Sequence, residues 1–202
     1  TKKVAKSDAA PEMQAALVKM TLHNLLAVYP GELIRFFVLS THYRRPIEYS
    51  EAEIESKRKG LDTFYRLFER VERLCGQTPY IDAPPPKGSA GAEIQSRILA
   101  SAREQHAEAF TQSMDDDFNT AGAIAALFEL ATAINRFIEE EKLESEPRAP
   151  AREDVLHAAG HLIGLGRLIG LFLEPPPKRT AADDGTADKA MKVLIEVRQN
   201  LR

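Results

Sequence analysis

Apolar residues return every three or four positions in run after run of this chain, and no convincing stretch alternates with the period of two that a half-buried strand needs. The clearest run lies between Ser50 and Leu74. Its stripe is Ile54, Leu61, Phe64, Phe68, Val71 and Leu74. Ser50 with Glu53 three residues later is the signature of a capping box, and Gly76 is a natural stop. The same spacing predicts helices over 92–112, 120–141 and 153–173. Short helices are predicted over 11–19, 22–28 and 30–41, the last with Leu33, Ile34, Phe37 and Val38 on one face. An amphipathic helix over 186–202 closes the series. Proline, glycine and polar residues at 76–91, 144–152 and 178–185 break the runs. The pattern defines an all-α fold, an antiparallel helical bundle preceded by short linker helices. The expected division is linker helices over 1–50 and a bundle over 51–202. Gly160, Gly164, Gly166 and Gly170 weaken the 153–173 helix but let another helix come close.

A chain of 202 residues with 44% hydrophobic and 28% charged residues can bury a core and solvate its surface. No apolar run is expected to reach the roughly 18–20 residues of a membrane span, and the polar start shows no signal peptide. That start lacks Met, so a fragment or processed chain is expected. The single cysteine, Cys75, excludes an internal disulfide framework and fits a reducing cytoplasm. The net charge of −3 does not advertise nucleic-acid binding. Residues 1–80 nevertheless carry 13 Lys/Arg against 10 Asp/Glu, a local basic excess.

Two stretches stand apart from this background. The first is Met114-Asp-Asp-Asp-Phe-Asn-Thr120, directly before the 120–141 run. Asn119 or Thr120 can cap that helix. Asp115, Asp116 and Asp117 add negative charge beside the positive end of its dipole. Phe118 can fold back on Leu127 or a neighbouring helix as a hydrophobic staple. The second stretch is Tyr29-Pro-Gly-Glu, running into Leu39-Ser-Thr-His-Tyr-Arg-Arg-Pro46 and ending at Tyr49-Ser50.

Together the two stretches resemble the helical region that follows the catalytic domain in bacterial-type cysteinyl-tRNA synthetases. The order and spacing agree with that family over residues 21–202. The resemblance implies an enzyme that attaches cysteine to its tRNA in the cytoplasm, using ATP and a zinc-bearing catalytic domain. The motifs of that domain, His-x-Gly-His and a complete Lys-Met-Ser-Lys-Ser loop, are not in this sequence. Lys19-Met20 is the nearest trace of the loop and suggests that it was deleted or left out with its flanks joined. The chain alone should not aminoacylate, holds no cofactor of its own, and should act as a monomer that docks tRNA. The family also continues beyond the equivalent of Leu194–Arg198, so the C-terminus reads as truncated.

Within this frame His42, Tyr43, Arg44 and Arg45 are the candidate RNA contacts. Two guanidinium forks, an imidazole and a phenol suit phosphates and base or ribose stacking. The competing reading is a helix C-cap with Tyr43 in the core. Lys57 and Arg58 are further candidates, with Arg66, Arg70 and Arg73 at helical spacing, although interleaved acids favour a salt-bridged solvent face. The Asp triplet reads as structural, because consecutive side chains do not converge on one ion without special backbone geometry. His157 and His161, with Asp154 one turn before, have zinc-compatible spacing but lack further ligands, so no metal site is expected. A rival from the same lineage joins cysteine to an amino-sugar inositol in thiol biosynthesis. A rival from another class is a non-enzymatic helical interaction bundle.

Overall fold

The computed structural model describes residues 21–80, 97–146 and 148–176, and among these it is helical throughout, with no strand. Six helices are described: α1 Leu22–Val28, α2 Gly31–Leu39, α3 Glu51–Cys75, α4 Arg97–Asp115, α5 Thr120–Glu140 and α6 Ala149–Leu168. The helices expected over 11–19 and 186–202, the Lys19-Met20 pair and most of the proline-rich linker lie outside the described residues.

The local signals act as they should in α3. The Ser50 hydroxyl accepts the Glu53 N–H at 3.1 Å, and Gly76 closes the helix at φ 69° with its N–H on the Glu72 carbonyl. Only a residue without Cβ adopts that left-handed conformation at no steric cost. The buried stripe is the expected one with Leu67 added. In α2 the buried face is Leu33, Ile34, Phe36 and Phe37, while Val38 is exposed. The face is therefore turned from the expected one. Phe36 points inward because its ring meets Phe128 of α5 edge-on, with centroids 6.4 Å apart.

α5 lies at the centre. It packs on α2, α3, α4 and α6 and buries Ala123, Ile124, Ala126, Leu127, Leu130, Ala131, Ile134, Phe137 and Ile138. This helix corrects the expectation that no run is long and apolar enough for a membrane. Within its 21 residues an 18-residue window reaches a mean hydropathy of 1.4. Burial inside the bundle accounts for that composition, since a helix covered on several sides is apolar nearly all round. α4 runs antiparallel to α5 across a tight turn, which sets Leu99 and Ala102 beside Thr132, Ala133 and Phe137. α3 runs along α5 in the same direction. Arg70 ties the two, donating to Asn135 at 2.7 Å and pairing with Glu139 and Glu144. Arg70 is thus a tertiary clamp and not part of a solvent stripe.

α6 begins earlier than expected, because Pro150 sits comfortably in a first helical turn. It also ends earlier, at Leu168. Gly170 at φ 76° reverses the chain, and Phe172, itself at φ 56°, turns back into the core at 0% exposure. Its ring meets Phe64, Phe68 and Tyr65 at 5.1, 5.2 and 6.2 Å. Gly166 is what admits it. A Cβ there would lie 2.3 Å from the Phe172 ring. The close approach allowed by a glycine in α6 is therefore that of the chain's own returning ring. α2 fastens this turn from outside: Glu32 accepts the Phe172 N–H at 2.6 Å and the Tyr65 hydroxyl, and Arg35 donates to the Gly170 carbonyl at 2.6 Å. Burial, reinforced by the bond to Glu32, pushes the Tyr65 phenol well above its usual range.

Replacing Gly166 with Ala forces the Phe172 ring out of its seat. Urea denaturation should show a loss of about 1–3 kcal/mol, the usual cost of overpacking a filled core. An unchanged midpoint and slope would mean that the ring does not rest on Gly166.

Candidate nucleic-acid interface

The turn between α4 and α5 is built without glycine. Asp117 and Phe118 both adopt left-handed backbone, at φ 54° and 53°. Such conformations are uncommon outside glycine and the small polar residues. Dense hydrogen bonding holds them. The Asp116 N–H donates to the Gln112 carbonyl, Phe118 to Met114, Asn119 to Ser113, and Thr120 to Phe118, at 2.7–3.1 Å. Asn119 Oδ1 then caps α5 by accepting the Gly122 N–H at 3.0 Å. The Thr120 hydroxyl donates to the Leu39 carbonyl at 2.7 Å, which pins the turn to the end of α2.

Asp115 closes α4, and Asp116 and Asp117 form the turn that leads into α5, so the acids stand just ahead of that helix as expected. One expectation is corrected here. Phe118 is no staple: the residue is 67% exposed, because the left-handed backbone directs it away from the bundle.

The loop after α2 meets this turn through Asp117. The Tyr43 hydroxyl donates to Asp117 Oδ1 at 2.8 Å. Arg44 Nη2 lies 3.1 Å from Oδ1 and 3.0 Å from Oδ2, and His42 Nε2 lies 3.9 Å from Oδ2. Arg44 Nε also donates to the Tyr43 oxygen at 3.0 Å, and its guanidinium stands 5.5 Å from the centre of that ring. The His42 and Tyr43 rings stack at 4.9 Å. The bond to Tyr43 and the charge of Asp117 raise the Arg44 pKa further above its already high value. Tyr43 is 59% exposed and is not a core residue. Arg45 is exposed, and its side chain has no bond or ion pair among the described residues. The two stretches singled out in the sequence thus form one surface, which displays the rings of Tyr43 and Phe118 with Arg44 and Arg45.

Lys57 and Arg58 are not brought to this surface. Arg58 pairs with Glu55 at 3.0 Å and stands 5.9 Å from the centre of the Tyr29 ring. Tyr29 precedes α2 while His42 follows it, and nine helical residues span about 13 Å. Phe118 was legible as a motif residue but not as an exposed one, since nothing local in the sequence marks a left-handed turn without glycine.

Among the described residues no three His, Cys, Asp or Glu side chains are grouped to hold a metal. His161 is mostly buried, its Nε2 has no hydrogen-bond partner, and burial, with the charge of Arg103, lowers its pKa to about 4. A neighbouring guanidinium would also repel a cation. The Cys75 thiol donates to the Arg152 carbonyl at 3.2 Å, and burial raises its pKa, so it is not poised as a nucleophile.

Residues 109–174, from the last turns of α4 to just past the Phe172 turn, match the DALR domain family. The described residues therefore comprise a helical DALR-type region preceded by further helices. Along nearly its whole length it is similar to cysteine–tRNA ligases. It is 33% identical to that of Desulfitobacterium hafniense over 88% of the chain, and 35% identical to those of Magnetococcus marinus and Heliobacterium modesticaldum over 90%. The domain match and these relatives together support a C-terminal region of the cysteinyl-tRNA synthetase type. It spans about a third of the length of these relatives, 34%, 34% and 36% respectively.

The environment of His161 makes stability depend on pH. The unfolded chain protonates this imidazole below about pH 6.5, and the folded chain only near 4. Its contribution is complete above 6.5 and falls as the pH drops towards 4, by an amount on the order of 3 kcal/mol at most. Urea unfolding at pH 7 and pH 4.5 should show a smaller acid loss for His161→Leu than for the unsubstituted chain. Equal losses would mean that His161 protonates freely in the folded state.

Proposed function

We propose that this chain is the tRNA-docking helical region of a cysteine–tRNA ligase, and that the whole enzyme attaches cysteine to its tRNA in the cytoplasm with ATP. The observation that carries this reading is the convergence of His42, Tyr43 and Arg44 on Asp117 in a chain whose relatives bear that name. Asp117 holds Arg44 in one place, so less side-chain freedom is lost when RNA arrives. Arg45 is left free to meet a phosphate. Docking of this kind reads the shape and backbone of a folded RNA, and bases are read where they are unpaired.

Catalysis would lie in the remainder of the enzyme. ATP and zinc would act there. The described residues do not fit a zinc site, because among them no third ligand is grouped with the histidine pair and His161 is buried beside Arg103. Lys57 and Arg58 would form, at most, a second and weaker contact, since Arg58 already has a carboxylate partner. The docking region would act as a monomer.

The test is binding of the chain to tRNA carrying the cysteine anticodon, and to a non-cognate tRNA, over a range of salt. Binding should weaken steeply with salt. Substitution of both Arg44 and Arg45 by Ala should weaken it further and lower the salt slope by roughly 0.7–0.9 for each phosphate that is no longer neutralised. Unchanged affinity and slope in the double variant would remove this loop from the interface.

A further inference from the structure

We infer that Phe118 is a stacking platform for an unpaired base of the bound RNA; this rests on the docking reading above. An exposed phenylalanine alone would carry little. Here three independent features coincide. The residue is 67% exposed although phenylalanine is strongly apolar. Its backbone is in a conformation that bulky residues avoid, which is the kind of strain that collects at functional positions. The turn carrying it is immobilised on both sides, by the Phe118 N–H on the Met114 carbonyl and by the Thr120 N–H on the Phe118 carbonyl. The ring is therefore presented to solvent on a fixed mount.

The charges around the mount decide which part of a nucleotide it takes. Asp115, Asp116 and Asp117 directly precede Phe118 in the turn, and among the described residues only Asp117 has an ion-pair partner, Arg44. A phosphate beside this ring would be repelled by the other two carboxylates. An uncharged base face would not be. The cations stand across the Asp117 contact, at Arg44 and Arg45, where the phosphates flanking a splayed base can reach them. Stacking of a base on an aromatic ring tolerates any sequence, because every base has a π-face, and removal of such a ring costs roughly 5- to 150-fold in affinity.

The chain has no tryptophan. Phe118→Trp therefore places the only indole at the proposed platform. Titration with cysteine-anticodon tRNA should quench its fluorescence. Phe118→Ala and Phe118→Leu should both weaken binding within the roughly 5- to 150-fold range without changing the salt slope, because neither substitution removes a charge. Phe118→Trp should bind as tightly as the unsubstituted chain. Circular dichroism checks that each variant folds, and the exposed ring leaves the core untouched. An unquenched indole, with Phe118→Ala binding normally while Arg45→Ala binds weakly, overturns the platform and leaves the docking reading standing. No tRNA binding by the unsubstituted chain overturns both. An indole at the same position in the full-length enzyme that is already blue-shifted before RNA is added would show the ring covered by protein, and would overturn the platform in favour of a domain contact.

Discussion

The Glu32 carboxylate holds α2 against the rest of the protein. One oxygen accepts the Phe172 N–H and the other the Tyr65 hydroxyl. Phe172 has left the helix ladder and turned into the core, so its N–H would otherwise be buried without a partner, at a cost of roughly 1–3 kcal/mol. A half-buried carboxylate is itself expensive to desolvate. Each group removes the other's penalty. The arrangement works only if Phe172 is seated, which needs Gly166 without a side chain and Gly170 in the left-handed region. Three elements distant in sequence thus depend on one another: α2, the middle of α3 and the turn after α6.

α2 is fixed along its whole length. Near its start Glu32 engages Tyr65 and Phe172, in its middle Arg35 reaches the Gly170 carbonyl, and at its end the Leu39 carbonyl accepts from Thr120. Its inner face adds Phe36 against Phe128. This fixation is what makes the next residues useful. The loop after α2 would be free to move if the helix ended in solvent. Instead it leaves a fixed point beside the turn that opens α5, and Asp117 needs only to bridge a short gap to Tyr43 and Arg44. Exposed ion pairs of this kind contribute little to stability. Their effect here is on geometry, because they choose one position for a guanidinium that would otherwise sample many.

Features written in local chemistry were legible from the sequence. Ser50, Gly76 and Asn119 act at helix ends as their side chains dictate, and the stripe of α3 follows from spacing alone. Features that need a partner from elsewhere were not legible. Val38 and Phe36 are both apolar, and only the position of Phe128 decides which one turns inward. α6 stops at Leu168 although apolar residues continue, because the core has room for Phe172 only when the chain reverses. The Asp triplet looked like a helix start because Asn119 and Thr120 do start a helix. The left-handed backbone at Asp117 and Phe118 instead accompanies a contact from one carboxylate, that of Asp117, to the loop after α2. The pairing of Asp117 with His42, Tyr43 and Arg44 joins positions more than 70 residues apart, and no spacing rule reaches that far.

The same pairing separates the two arginines by role. Arg44 is held by a carboxylate, a phenol oxygen and the face of a ring. Its charge is partly balanced, so its attraction for a distant phosphate is reduced, but its position is set. Arg45 has its full charge and no partner among the described residues, so it supplies long-range attraction and little geometry. On the proposed docking role, an RNA approaching this surface would feel Arg45 first and be aligned by Arg44 afterwards. Loss of Arg45 should therefore act mainly on the rate of association, which screened charge controls, and loss of Arg44 mainly on the lifetime of the complex, which depends on how well the two surfaces fit once joined.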